Sequence, residues 1–150
     1  VEAASIPLVG LTSYQALHDI LQLTAGQKVL IPAGAGGVGT FAIQLAKAMN
    51  AYVATTTSEA GYKLVKSLGA DQIIDYKTEQ FDEVLHNYDV VFDTISGETL
   101  EKAFKIVKSG GQIVSIAGLP NARFGKKYGS GFLKTNLFRI ATHKITKLEK

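Results

Sequence analysis

The chain has 150 residues, a formal net charge of +3, and a composition 46% hydrophobic and 19% charged, which suits one ordinary globular core. It contains no cysteine, so disulfide frameworks and thiolate metal ligands are excluded within these residues, in keeping with a reducing, cytoplasmic setting. No apolar run is long enough to span a bilayer.

In chain order, the opening at Val1 reads as a point inside a longer enzyme, with residues 1–27 a leading segment and 28–150 the domain proper. Thr12 and Gln15 have capping-box spacing, Ala16, Leu17, Ile20 and Leu21 share one helical side, and Thr24-Ala25-Gly26 is a stop. Val29-Leu30-Ile31 is the first strand, and Val38, Phe41, Ala42, Leu45, Ala46 and Met49 form the buried stripe of the next helix. Further apolar runs follow at Tyr52-Val53-Ala54, Ile73-Ile74, Val90-Val91-Phe92 and Ile113-Val114. Between them, Gly61, Leu64, Val65 and Leu68 share a helical face ending at Gly69, and Leu100, Ala103, Phe104 and Val107 share another ending at Gly110-Gly111. A shorter turn covers Phe81 to Leu85, Pro120 to Gly131 reads as a loop, and Leu133 to Ala141 as a last helix. Strand and helix in alternation specify an α/β fold, a Rossmann-type doubly wound parallel sheet with helices on both faces. Five strands stand where six are usual, so the sheet is expected to be truncated at its C-terminal edge.

The join between the first strand and its helix carries the chemistry. Gly34, Gly36 and Gly39 fit G-x-G-x-x-G: the first is expected to permit a tight turn, the second to let backbone amides approach phosphate oxygens, the third to let helix and strand pack closely. The positive end of the helix then faces a diphosphate. A dinucleotide with an unphosphorylated ribose calls for a carboxylate about 20 residues on, at the end of the second strand. Here that end is Thr55-Thr56-Thr57-Ser58. Hydroxyls with a nearby cation such as Lys63 suit a 2′-phosphate, which points to NADP(H). Glu59 is the neighbouring acid, and is expected in the first turn of the following helix.

Thr94-Ile95 after the fourth strand and Ala117-Gly118-Leu119 after the fifth lie where ligands bind such sheets, and Tyr76 ends the third strand on the adenine side. Asp75, Asp89 and Asp93 flank strands and are expected to cap turns. His18, His86 and His143 have no metal-ligand spacing, and no catalytic acid or base can be named. Basic residues cluster after position 122, from Arg123 to Lys150. A solvated surface is the plain reading, and a polyanion-binding face the alternative.

Several spaced motifs carry a resemblance: Gly10-Leu11-Thr12-Ser13-Tyr14-Gln15-Ala16-Leu17, Ala33-Gly34-Ala35-Gly36-Gly37-Val38-Gly39 with Gln44-Leu45-Ala46-Lys47, Leu68-Gly69-Ala70-Asp71, Ile74-Asp75-Tyr76, Val91-Phe92-Asp93-Thr94 and Gly110-Gly111-Gln112-Ile113-Val114. Together they resemble the zinc-independent quinone oxidoreductase branch of the medium-chain dehydrogenase/reductase superfamily, over nearly the whole chain. The resemblance implies NADPH, with Ala35, Gly36, Gly37 and Val38 at the diphosphate and Ser58, with Thr57 beside it, and Lys63 near the 2′-phosphate. It places Tyr76 at the adenosine side, Thr94, Ile95, Ala117, Gly118 and Leu119 at the nicotinamide half, and Thr12 where the preceding helix approaches it. Pro32 and Gly61-Tyr62 depart from residues common in the family. It further implies hydride transfer to a small electron acceptor, a quinone or α,β-unsaturated carbonyl, by a metal-free enzyme that forms homodimers, with a GroES-like catalytic domain outside these residues and no membrane or nucleic-acid partner. The alternatives are a zinc alcohol dehydrogenase relative, or an inert NADPH-binding or RNA-binding protein on the same fold.

Overall fold

The computed structural model describes residues 2–117. A leading helix α1 (Glu2–Tyr14) runs into a π-helical segment, Gln15–Ile20, and then come β1 (Lys28–Ile31), α2 (Gly37–Ala48), β2 (Tyr52–Thr57), α3 (Glu59–Ser67), β3 (Gln72–Asp75), α4 (Phe81–Val84), β4 (Tyr88–Asp93), α5 (Glu98–Ile106) and β5 (Val107–Ser115). The strands form one parallel sheet in the order β3-β2-β1-β4-β5. This is the expected doubly wound α/β sheet, and its strand order reverses between β1 and β4. The last helix and loop read from the sequence, the basic cluster, His143, Gly118 and Leu119 lie outside the described residues.

The period-2 alternation of each strand divides the core into two layers. Val29, Ile31, Val53, Val90 and Phe92 face one side, where they meet Ala16, Leu17, Leu21, Leu23 and the Ala42-Ile43-Ala46 face of α2. Leu30, Ala54, Ile74 and Val91 face the other, where Phe81, Leu85, Ala103 and Ile106 cover them. Helices on both faces are what a parallel sheet requires, because its crossovers must pass over it.

Several local expectations give way to packing. Thr12 caps no helix: α1 begins ten residues earlier, at Glu2, so Thr12 is interior and its hydroxyl donates back to the Leu8 carbonyl at 2.7 Å. The helix ends in wider turns, in which the Leu21 amide reaches Ala16 O at 2.9 Å. Ile43 falls outside the stripe read on α2, yet it is fully buried, because α2 is sandwiched between the sheet and α1. On α3 the inward line runs through Gly61 and Val65, which leaves Leu64 45% exposed. Val107 is not helical but already pairs with Tyr88 at the start of β5, and a register shift follows, with Gly110 at φ +79°.

Carboxylates lock the amino-terminal end of the sheet. Asp71 accepts from the Val53 amide at 2.7 Å and from Lys47 Nζ at 2.8 Å, while Asp89 accepts from the Lys28 amide at 2.7 Å and pairs with Lys108. Burial alone would push both carboxyls up, but the Lys47 and Val53 partners of Asp71, and the Lys108 and Lys28 partners of Asp89, outweigh it and hold each below the ordinary 3.8. A depressed carboxyl stabilises the fold above its unfolded value, and that contribution fades as pH falls through the folded one. Thermal melts should therefore show Tm flat near neutrality and falling below about pH 4. Asp71→Asn should lower Tm at pH 7 and blunt the acid fall; an unchanged acid slope would show that this pair contributes nothing.

Candidate functional site

The carboxyl ends of β1 and β4 part at the switch in strand order, and the glycine segment leaves β1 at that point. The chain enters the loop through Ala33 at φ +53°, and the tight turn that follows, with Gly34 and Ala35 at its centre, is closed by the Gly36 amide on Ala33 O at 2.9 Å. Among residues 34–39 no glycine has a positive φ. What requires glycine is space. A Cβ on Gly34 would lie 2.8 Å from Ile43 Cδ1 and inside contact distance of Thr55 Oγ1, and one on Gly39 would press on Ala33 O and lie 2.7 Å from Gly34 Cα. Gly37 meets nothing nearer than Val9 Cγ1 at 4.0 Å. The loop is thus packed flat against β2 at one glycine and against its own start at another.

β2 braces this loop with groups that sequence reading assigned elsewhere. Thr55 Oγ1 donates to Ile31 O at 2.6 Å, Thr56 Oγ1 accepts from the Ala33 amide at 3.1 Å, and the Gly34 amide donates to Thr56 O at 3.0 Å. Of the hydroxyl run, two members are therefore structural. Thr57 and Ser58 remain at the strand end, where Ser58 is the N-cap of α3 without a side-chain cap bond. Glu59 is the first residue of α3, as expected. Lys63 lies one turn on, exposed, with no ion pair among the described residues.

Gly36 caps α2 without a side-chain bond, so the amides of Gly37, Val38 and Gly39 open the helix with no acidic residue in its first turn. An uncapped helix start of this kind favours an anion. Thr12 is half-buried near the end of α1, and its buried neighbour Ser13 is the residue that reaches α2: Ser13 Oγ donates to Val9 O at 2.8 Å and lies 3.4 Å from Val38 O.

Thr94 ties the switch point together, its hydroxyl donating to Pro32 O at 3.1 Å. The buried Asp93 carboxylate accepts from the Ile95 and Ser96 amides and from Ser115 Oγ at 2.7 Å. It caps the turn after β4, and Asp75 likewise accepts from the Lys77 amide at 2.9 Å. Asp89 instead lies inside β4 as a cross-strand anchor. A cleft of about 440 Å³ opens here over Ala33 and Thr56, with Tyr76 on one side and Ile95 on the other. These two apolar walls are 56% and 48% exposed. Tyr76 and Ile95 share this cleft, although the resemblance gives them to opposite halves of a dinucleotide. The far wall, Gln80, Glu98 and Lys102, has no sequence signal: Lys102 Nζ bridges Gln80 Oε1 at 2.6 Å and Glu98 at 2.7 Å, across 22 residues in the first case. Ala117 is the last described residue.

Comparison with known proteins fixes the kinship. The pattern of the family described as zinc-binding dehydrogenase matches residues 37–145. The chain belongs to that family. It is 42% identical over 128 residues to 2-methylene-furan-3-one reductase of Solanum lycopersicum and 41% identical over 128 residues to a chloroplastic NADPH-dependent alkenal/one oxidoreductase of Arabidopsis thaliana; each match covers 82% of this chain and 32% of the relative. Among solved structures it superposes on the quinone oxidoreductase of Coxiella burnetii with a TM-score of 0.77 at 39% identity, covering 84% of this chain and 40% of that one. The chain thus spans about a third of the length of the curated relatives it matches. These matches bear out the resemblance to the medium-chain dehydrogenase/reductases.

The family's description names zinc. Among the described residues no three His, Cys, Asp or Glu side chains gather as a metal site. No helix of the described residues is long and apolar enough to cross a membrane.

Proposed function

We propose that this chain is the coenzyme-holding domain of an NADPH-dependent oxidoreductase that reduces a quinone or an α,β-unsaturated carbonyl. The observation that carries the reading is the pairing of a loop with no room for a Cβ at Gly34 and Gly39 with a β2 end that presents hydroxyls and no carboxylate. Amides of Ala35 and the α2 start receive the diphosphate; Thr57, Ser58 and Lys63 receive the 2′-phosphate. The cleft between Tyr76 and Ile95 takes the adenosine half, which moves Ile95 from the nicotinamide side to this one. Thr94 and Thr12 stand toward the nicotinamide side, with Ala117, Gly118 and Leu119 assigned there by resemblance.

When bound, NADPH supplies the hydride. The chain's own residues bind and orient it, and the acceptor, the proton donor and the opposite wall of the site belong to a catalytic domain beyond these residues. That the relatives named above include an alkenal/one oxidoreductase and a quinone oxidoreductase supports this substrate class. We propose a cytoplasmic, zinc-independent homodimer.

Calorimetric titration should show heat with NADPH and weaker binding of NADH. Lys63→Ala should raise the Kd for NADPH about tenfold, the size of one charge-assisted hydrogen bond, and leave NADH unchanged. Absence of binding by either coenzyme, or a preference for NADH, sinks the reading. Metal analysis of the full enzyme tests the zinc-free assignment.

A further inference from the structure

Gly61 is the third residue of α3, where alanine would favour the helix more. The space around it explains the choice. A Cβ there would lie 2.8 Å from Ala35 Cβ, in the middle of the glycine loop, and inside contact distance of Thr57 Oγ1. The first turn of α3 therefore rests on the Thr57 side chain at the end of β2 and on the Ala35 methyl of the loop, with no room for a Cβ of its own.

Two sets of hydrogen bonds decide what yields if that contact is filled. The loop is held by β2, through the Thr56–Ala33 and Thr56–Gly34 bonds at 3.1 and 3.0 Å, and by its own Gly36–Ala33 closure at 2.9 Å. The Gly61 amide instead bonds Ser58 O at 2.9 Å, so position 61 moves with the N-cap of its own helix. A methyl group at 61 displaces α3, and with it Ser58 and Lys63, while the loop stays in place.

We propose that Gly61 is a positioning residue for coenzyme selection: by letting α3 close onto the glycine loop it brings Ser58 and Lys63 within reach of the 2′-phosphate of a dinucleotide held at Ala35–Val38. This rests on the cofactor reading above and adds to it the packing contact that sets specificity.

The test is titration of the wild type, Gly61→Ala and the double variant Ala35→Gly/Gly61→Ala with NADPH and with NADH, alongside thermal melts. Gly61→Ala should raise the Kd for NADPH about tenfold and change that for NADH by less than about twofold. The double variant removes the Ala35 methyl and leaves Thr57 Oγ1 as the remaining obstacle, so it should recover part of the NADPH preference. If Gly61→Ala melts below the assay temperature, the double variant decides alone, with a partial, NADPH-selective loss expected. An equal loss for both coenzymes, or an unchanged NADPH affinity, overturns this inference and leaves the cofactor reading standing. A wild type that binds neither coenzyme overturns both.

Discussion

Gly39→Ala should lower Tm by about 5–10 °C and abolish detectable NADPH binding. The expected size follows from what the new methyl group meets. At Gly34 the obstacles are side chains, of which the end of Ile43 can turn aside while Thr55 is held by its bond to Ile31 O; at Gly39 they are the Ala33 carbonyl and the Gly34 backbone, 2.7 Å and 2.9 Å away at its Cα and C. Backbone that is itself bonded to β2 cannot yield without breaking those bonds. Overpacking of this kind costs about 2–3 kcal/mol, which for a domain of this size is the stated shift in Tm. The same displacement opens the Ala33–Gly36 turn and spreads the amides offered to the diphosphate, so affinity falls by about a hundredfold or more. Gly37→Ala is the internal control, because its Cβ finds only Val9 at 4.0 Å. Melting curves for the two variants should separate clearly. Coincident curves would show that close approach is not the reason for glycine at position 39.

The glycines illustrate how far sequence reasoning reaches. Their spacing located the loop, yet the left-handed residue at its entrance is Ala33 at φ +53°, a conformation that nothing in the residue type announces. The strands and a sheet covered on both faces were legible because short continuous apolar runs alternating with helical stripes leave few alternatives. The direction of a hydroxyl was not: Thr55, Thr56 and Thr57 are equivalent in composition, and only the sheet register with β1 turns the first two toward Ile31 and Ala33. For the same reason the cleft wall escaped notice. Lys102 and Gln80 become neighbours only when α4 and α5 pack on one face of the sheet, and Val107 joined a strand rather than a helix because Tyr88 was there to pair with it.

A second large effect is expected at Asp93→Ala, about 3–4 kcal/mol of lost stability with weakened NADPH binding. Asp93 is fully buried and serves three donors at once: the amides of Ile95 and Ser96 and the hydroxyl of Ser115. Removal of the carboxylate leaves three partly buried donors without this acceptor and a void where the buried side chain stood, and a donor left unpaired away from water costs more than a made bond contributes. The turn it holds is also unfavourable on its own, with the non-glycine Ser96 at φ +69°, and the Ser96 amide donates to both carboxylate oxygens. Released from them, Ser96 should relax toward a negative φ and carry Ile95 off the cleft. Stability and coenzyme affinity are thereby linked at a residue that touches no ligand. Ser115→Ala removes a single bond and should cost about 1 kcal/mol, while Asp93→Asn, which keeps one acceptor oxygen for the turn amides, should fall between the two. Denaturant titrations of the three variants measure the order directly. If Asp93→Ala proved no worse than Ser115→Ala, the turn would be self-supporting, and the position of Ile95 would have to be explained by the packing of α5.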